Sequence, residues 1–187
     1  VEASRFDAAT AYVVFDDHRR SNWKSYVFVT HDFGKTWESL TTPEIDGFAH
    51  VIIQDPVNKD LLFLGTEFGL HVSLNGGKNW MKWTAGLPTV PVLALGVHPR
   101  ENDLIIGTHG RGIYILDDLT PLRRMSQEIS VKKFHLFEIP SAFQYHTEYW
   151  AGPYTSSGDG MFKGKQREYG AMISYAVNPP DSIRAME

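Results

Sequence analysis

Three short stretches concentrate side chains that could do chemistry. "DDHRR" at residues 16–20 supplies Asp16, Asp17, His18 and Arg19, "TEFG" supplies Glu67, and "THGRG" supplies His109 and Arg111. Arginines can fork to a carboxylate or a phosphate. Two carboxylates at a suitable separation can hydrolyse a glycoside, one as acid and the other as base or nucleophile. Histidines beside a carboxylate can hold a metal, and His18, Glu67 and His109 would be the set to do so. The alternative is that these are solvated loops, or that His109 and Arg111 bond a neighbouring element. Asp17, His18, Arg19, Glu67, His109 and Arg111 are therefore candidate ligand-binding residues. None is assigned a catalytic or metal-binding role, and no cofactor is expected.

A fourth stretch, "THDFGKTW" at residues 30–37, looks equally reactive but reads differently. It is echoed 43 positions later by "SLNGGKNW" at residues 73–80, where Asn75 replaces Asp32. A catalytic carboxylate would not tolerate that exchange; a turn would, because the amide oxygen still accepts hydrogen bonds from backbone N–H groups just ahead. Thr30 and Ser73 offer a second local hydrogen bond, Gly34 and Gly77 permit positive φ, and Trp37 and Trp80 are expected to fold back as apolar plugs. His31 is then a solvated turn residue, and His71, inside a strand, a packed one.

The echo extends beyond the turn. Pro56 precedes Pro99 by 43 positions, Gly65 precedes Gly107 by 42, and Gly69 precedes Gly112 by 43. Within each copy, runs such as "VIIQ", "LLFLGT" and "GLHVSL" are rich in β-branched, leucine and aromatic residues and are separated by turn signals. A fourth short strand is expected after each tryptophan, in "WESL" and "WMKW". Four strands per 40–45 residues indicate a β-propeller blade. The expected fold is all-β: about three four-stranded blades over residues 1–125, followed by a β-rich extension over 126–187. The third turn, "LDDLTPLR", is degenerate, with only Asp118 aligned to the acidic position. In a four-stranded meander the loops after strands two and four share one end. "DDHRR", "TEFG" and "THGRG" thus join Glu44, Asp46 and His50 there, and the "THDFGKTW" turns lie at the other end.

Three blades are too few for a ring of about four to eight. Together with an opening "VEASRF" that has neither initiator methionine nor leader, this leads to the expectation of a C-terminal piece of a longer protein whose missing blades are its first partners. The 187 residues carry a net charge of −4 with no basic block, which argues against nucleic acid. No apolar run is long enough to span a membrane, and the absence of cysteine excludes thiol catalysis and disulfides.

The pattern Ser/Thr-x-Asp-x-Gly-x-Thr-Trp in "THDFGKTW" resembles the Asp-box of BNR-repeat propellers. "GTEFGLHVSLNGGKNW" and "HPRENDLIIGTHGRGIYILDDLTPLR" look similar to bacterial secreted proteins of sortilin-N-terminal-like or glycosyl-hydrolase-like type. The resemblance implies an extracellular or periplasmic module that binds protein or glycan. Its alternative implication is a glycoside hydrolase of sialidase or xyloglucanase type, although no catalytic residue of those enzymes aligns here. In the tail, "FHLFEIP" and "AMISYAV" read as strands. The loop between them carries Tyr145, Tyr149, Trp150 and Tyr154, which could stack on sugars or pack on protein.

Overall fold

A computed structural model describes residues 1–142 and 170–178. The aromatic loop with Tyr145, Tyr149, Trp150 and Tyr154 lies outside them. The chain forms two compact units, Val1–Met125 and Ser126–Glu187.

The first unit is three antiparallel meanders. The first blade is β1 (Glu2–Ala3), β2 (Ala11–Asp17), β3 (Asn22–Thr30) and β4 (Glu38–Ser39), paired in that order. The second is β5 (Ala49–Gln54), β6 (Leu62–Thr66), β7 (Gly69–Ser73) and β8 (Met81–Trp83). Among the described residues the third has only β9 (Val92–Val97), β10 (Leu104–Thr108) and β11 (Ile113–Leu116). The expected fourth strand is replaced there by a short helix, α1 (Thr120–Arg124), with Pro121 in its first turn. Proline suits that position because the first helical N–H groups have no partner to lose.

Apolar side chains fill the spaces between sheets. Tyr12, Val27, Val29 and Leu40 of the first blade meet Leu62, Leu64 and Trp80 of the second. Leu61, Phe63, Leu70 and Val72 on the second blade's other face meet Val92, Leu104 and Ile106 of the third. Both faces of the middle blade are therefore covered, which is why β6 and β7 are buried along their whole length. Each fully buried Leu, Val or Phe contributes about 1.5–3 kcal/mol of transfer free energy.

The two tryptophan-ended turns have the same hydrogen bonds. Thr30 Oγ1 donates to Asp32 Oδ1 at 2.9 Å and accepts from the Gly34 N–H at 2.9 Å; Ser73 Oγ donates to Asn75 Oδ1 at 3.0 Å and accepts from the Gly77 N–H at 2.8 Å. Oδ1 of Asp32 accepts from the Thr36 N–H at 2.8 Å, and Oδ1 of Asn75 accepts from the Asn79 N–H at 2.9 Å. The two tryptophans differ. Trp80 is 2% exposed and donates from Nε1 to the Leu40 carbonyl of the first blade at 3.0 Å; Trp37 is 46% exposed and bonds its own Gly34 carbonyl at 3.1 Å. Trp37 is thus not the buried plug that its residue type suggests, because among the described residues no blade lies against it.

The degenerate third turn keeps the backbone link of the other two. Phe33 N–H donates to the Ala9 carbonyl, Gly76 N–H to Asp60, and Leu119 N–H to Asn102, at 3.0, 2.8 and 2.8 Å. These donors are spaced 43 residues apart. The turn residues have gone but the register remains. At the same end Asp55, fully buried, accepts from the Val57 and Asn58 N–H groups at 2.7 Å each and from Arg123 Nε at 2.9 and 3.1 Å. Arg123 also donates from Nη1 to Asn102 Oδ1 at 2.6 Å. One arginine of "LTPLRR" thereby ties α1 to the first turn of the second blade and the matching turn of the third.

In the second unit, α2 (Gln127–Ser130) starts at Ser126, whose side chain accepts from the Ile129 N–H. Strand β12 (Phe134–Leu136) pairs antiparallel with β13 (Tyr175–Val177), each inside a stretch expected to be extended. The Phe137 N–H continues the ladder to the Ser174 carbonyl at 3.0 Å, and Phe137 itself is buried.

Candidate functional site

The loops after strands two and four meet where the first two blades join. His18 begins a single 3-10 turn that closes left-handed at Ser21. Asp16, two residues earlier, accepts from the His18 N–H at 2.9 Å and lies 2.6 Å from the imidazole Nδ1 through both oxygens. This fixes the ring, which stacks on Phe48 with centroids 4.7 Å apart. Phe48 comes from the linker between β4 and β5 and is buried. His50 meets the same phenyl ring edge-on at 5.0 Å and holds Glu67 Oε2 at 3.1 Å from its Nε2. Trp23, 64% exposed, flanks both His18 and Phe48, with centroids 6.1 and 5.9 Å away.

Backbone geometry makes this approach possible. Gly47 has φ +78°, and a Cβ there would come within 2.8 Å of the Phe68 ring and 3.1 Å of Glu67 Cβ. Any side chain at residue 47 would push the "TEFG" loop off the linker. The Glu67 N–H donates to the Phe48 carbonyl at 3.1 Å, and the matching bond in the third blade runs from His109 N–H to the Pro91 carbonyl at 2.9 Å. The link repeats, but proline stands where phenylalanine would be needed, so the aromatic cluster forms only at the first junction.

The electrostatics follow from the pairing. Partial desolvation pushes the Asp16 carboxyl upward, but the backbone and ring hydrogen bonds of His18 and the charges of His18 and His50 outweigh it. They hold Asp16 below the ordinary carboxylate value. Asp16 is therefore an anion near neutral pH and suits a hydrogen-bond acceptor or base. On the same end Asp46 pairs with Lys82 at 3.1 Å, an exposed contact of little energetic weight. Beneath it His71 is fully buried and accepts from the Asp46 N–H through Nε2 at 3.3 Å. Burial, helped by the Lys82 charge and opposed by Asp46 and the Glu44 carbonyl, pulls its pKa down to about 4. Its Nδ1 closes no hydrogen bond of good geometry.

The candidate residues thus separate into two groups. His18, Glu67 and His50 are brought together with Asp16. Asp17 turns to Asn22 Nδ2, at 3.2 Å, and to Arg20, at 3.7 Å. Arg19, Glu44, His109 and Arg111 are exposed. Among the described residues no group of three His, Asp or Glu side chains is placed to hold a metal, so His18, Glu67 and His109 do not converge as a metal set would require. Trp23, Gly47, Phe48 and Phe68 were not among the sequence candidates. The available signal was the run "GFAH" at the entry to β5, facing a "TEFG" that also carries phenylalanine.

No protein-family model matches the chain, and no curated protein does. Among solved structures, the GH74 enzyme of Niastella koreensis superposes with TM-score 0.53 at 20% identity, over 63% of this chain and 20% of that one. YCF48 bound to D1 peptide gives TM-score 0.28 at 15% identity, over 50% of this chain and 44% of that one. The likeness is one of fold. The chain is a set of β-propeller blades, spanning about a fifth of the length of the GH74 enzyme it matches. Among the described residues no helix is long and apolar enough to cross a membrane.

Proposed function

We propose that the chain is part of a non-catalytic Asp-box propeller that binds a protein or glycan ligand outside the cytoplasm. The observation that carries this reading is the cluster at the first blade junction. An exposed indole, Trp23, stands beside a stacked His18–Phe48 pair and two carboxylates, Asp16 and Glu67, each fixed by an imidazole. Aromatic faces with oriented acceptors suit sugar rings and peptide side chains alike. At the opposite end the polar turn residues are engaged with their own backbone.

The test is a panel of immobilised oligosaccharides and peptides probed with the chain and two variants. Trp23→Ala is expected to weaken retention at least tenfold, and Asp32→Asn, at the far end, to leave it unchanged. Retention unaffected by Trp23→Ala would remove the ligand from this face.

A second reading, glycoside hydrolysis, rests on the two carboxylates held at one junction. Asp16, ionised, would be base or nucleophile, and Glu67 the acid. Release of reducing sugar that disappears in Asp16→Asn would establish it and overturn the first.

A further inference from the structure

Repeat equivalence makes each blade a template for its neighbours. The face of the second blade that packs on the first carries Leu64, Thr66, His71 and Trp80, all buried. The corresponding face of the first blade carries Val13, Phe15, Phe28 and Trp37, by register within β2–β3 and β6–β7 and by the 43-residue spacing. Here Phe15 is 55% exposed where its counterpart Thr66 is 0% exposed. Phe15 and Phe28 touch edge-on at 6.2 Å, and Phe28 stacks with Tyr26 at 6.5 Å, so the face is a continuous aromatic surface.

The template also shows what chemistry the face awaits. At the first junction, Leu40, just past β4, gives its carbonyl to Trp80 Nε1, and a Cβ on Gly77 would lie 2.8 Å from the Leu40 side chain. The close contact of leucine on glycine positions the carbonyl at the indole N–H. Gly34 and Trp37 are the same pair one repeat earlier. The Trp37 N–H turns back to Gly34, a bond it can exchange for one across a junction.

We infer that this flank of the first blade is the docking face for a complete Asp-box blade, whose fourth strand ends in a leucine-type residue with a carbonyl free for Trp37. A second copy of this chain does not meet that requirement through its other flank. The third blade ends in α1 instead of a fourth strand and has no counterpart of Leu40, although its Ile113 and Ile115 are exposed like an open junction.

The experiment fuses an additional copy of residues 1–51 ahead of Val1. The fused Val51 then joins Val1 as the native Val51 joins Ile52, because Ala3 pairs with Ala11 as Gln54 pairs with Leu62. Trp37 emission is isolated as the difference between each chain and its Trp37→Phe version, and read with acrylamide quenching. In the unfused chain it is expected to be red-shifted and readily quenched. In the fused chain it should shift to the blue and approach the protection of Trp80, and Leu40→Ala in the added copy should restore part of the quenching. A folded fused chain, with added strand signal in circular dichroism, whose Trp37 stays red and accessible overturns the inference. So does an unfused chain that already protects Trp37 while light scattering reports a dimer, since the occupant is then a second copy.

Discussion

Thr30 with Asp32, and Ser73 with Asn75, show how little a turn needs from charge. Both pairs present one hydroxyl and one side-chain oxygen to the same two backbone N–H groups. Ser73→Ala leaves the Gly77 N–H buried without an acceptor and should cost about 1–3 kcal/mol in urea denaturation. Asp32→Asn should lower the urea midpoint at pH 7 only slightly, by the charge-dependent part of its hydrogen bonds, because the second copy already uses the amide. Asp32 is nevertheless sensitive to acid. The backbone and hydroxyl hydrogen bonds from Thr36 lead the interactions that keep its pKa below the ordinary value. Its contribution is present above the unfolded carboxylate pKa and fades as pH falls through the folded one, a limb that Asp32→Asn removes. His71 acts in a higher window. Its folded pKa of about 4 lies below the unfolded 6.5, so the unfolded chain binds the proton first. Stability should fall as pH drops from about 6.5 towards 4 and then level off. The equivalent positions are Phe28 and Tyr114, so His71→Phe is a substitution the repeat already accepts. It should flatten this part of the urea-midpoint profile; an unchanged slope would place the titration elsewhere.

At the scale of the blade, identical residues carry unequal weight. Trp80 fills the first junction and Trp37 faces outward. Trp80→Ala should cost about 3–5 kcal/mol, as large core truncations do, and Trp37→Ala far less, both read from urea curves of the same 187-residue chain. Comparable losses would mean that the Trp37 face is already covered. The residues of each turn made the blades legible in the sequence, because Ser/Thr-x-Asp/Asn hydrogen bonds close within five residues. The third blade was legible only in outline. "LDDLTPLR" has lost those side chains, and the Leu119-to-Asn102 link that keeps its register is made by backbone, which any residue except proline can supply. Its missing fourth strand reflects "TPLRR", whose proline favours a helix start over a strand.

Across the whole molecule, contacts far apart in sequence decide what the local motifs leave open. Arg123 reaches Asp55, 68 positions away, and holds it with no exposure to water. Arg123→Met would strand a buried carboxylate and is expected to cost about 3–5 kcal/mol; Asp55→Asn in the same chain should recover part of it. Equal stability of the single and double variants in urea would show that the pair is not coupled. Nothing in "QDPVNKD" or "LTPLRR" alone announces this pair, since each half reads as an ordinary surface turn. The candidate site has the same character. Topology placed His18, Glu67 and His50 at one end, but the side chains that join them, Phe48 and Trp23, are apolar and carry no chemical signature until a neighbouring loop lies against them.

The sequence by itself determined the 43-residue period, the strands between turn signals, and the local hydrogen bonding of "THDFGKTW". Each of these depends on interactions between residues a few positions apart, and the repeat writes them twice. Only the tertiary structure decided which of two equivalent tryptophans is buried, that His109 and Arg111 stand apart from His18, and that Gly47 lets two loops close on an aromatic centre. Those outcomes depend on the surface a neighbouring blade presents, and burial and close approach are properties of pairs of surfaces that no single stretch of chain contains.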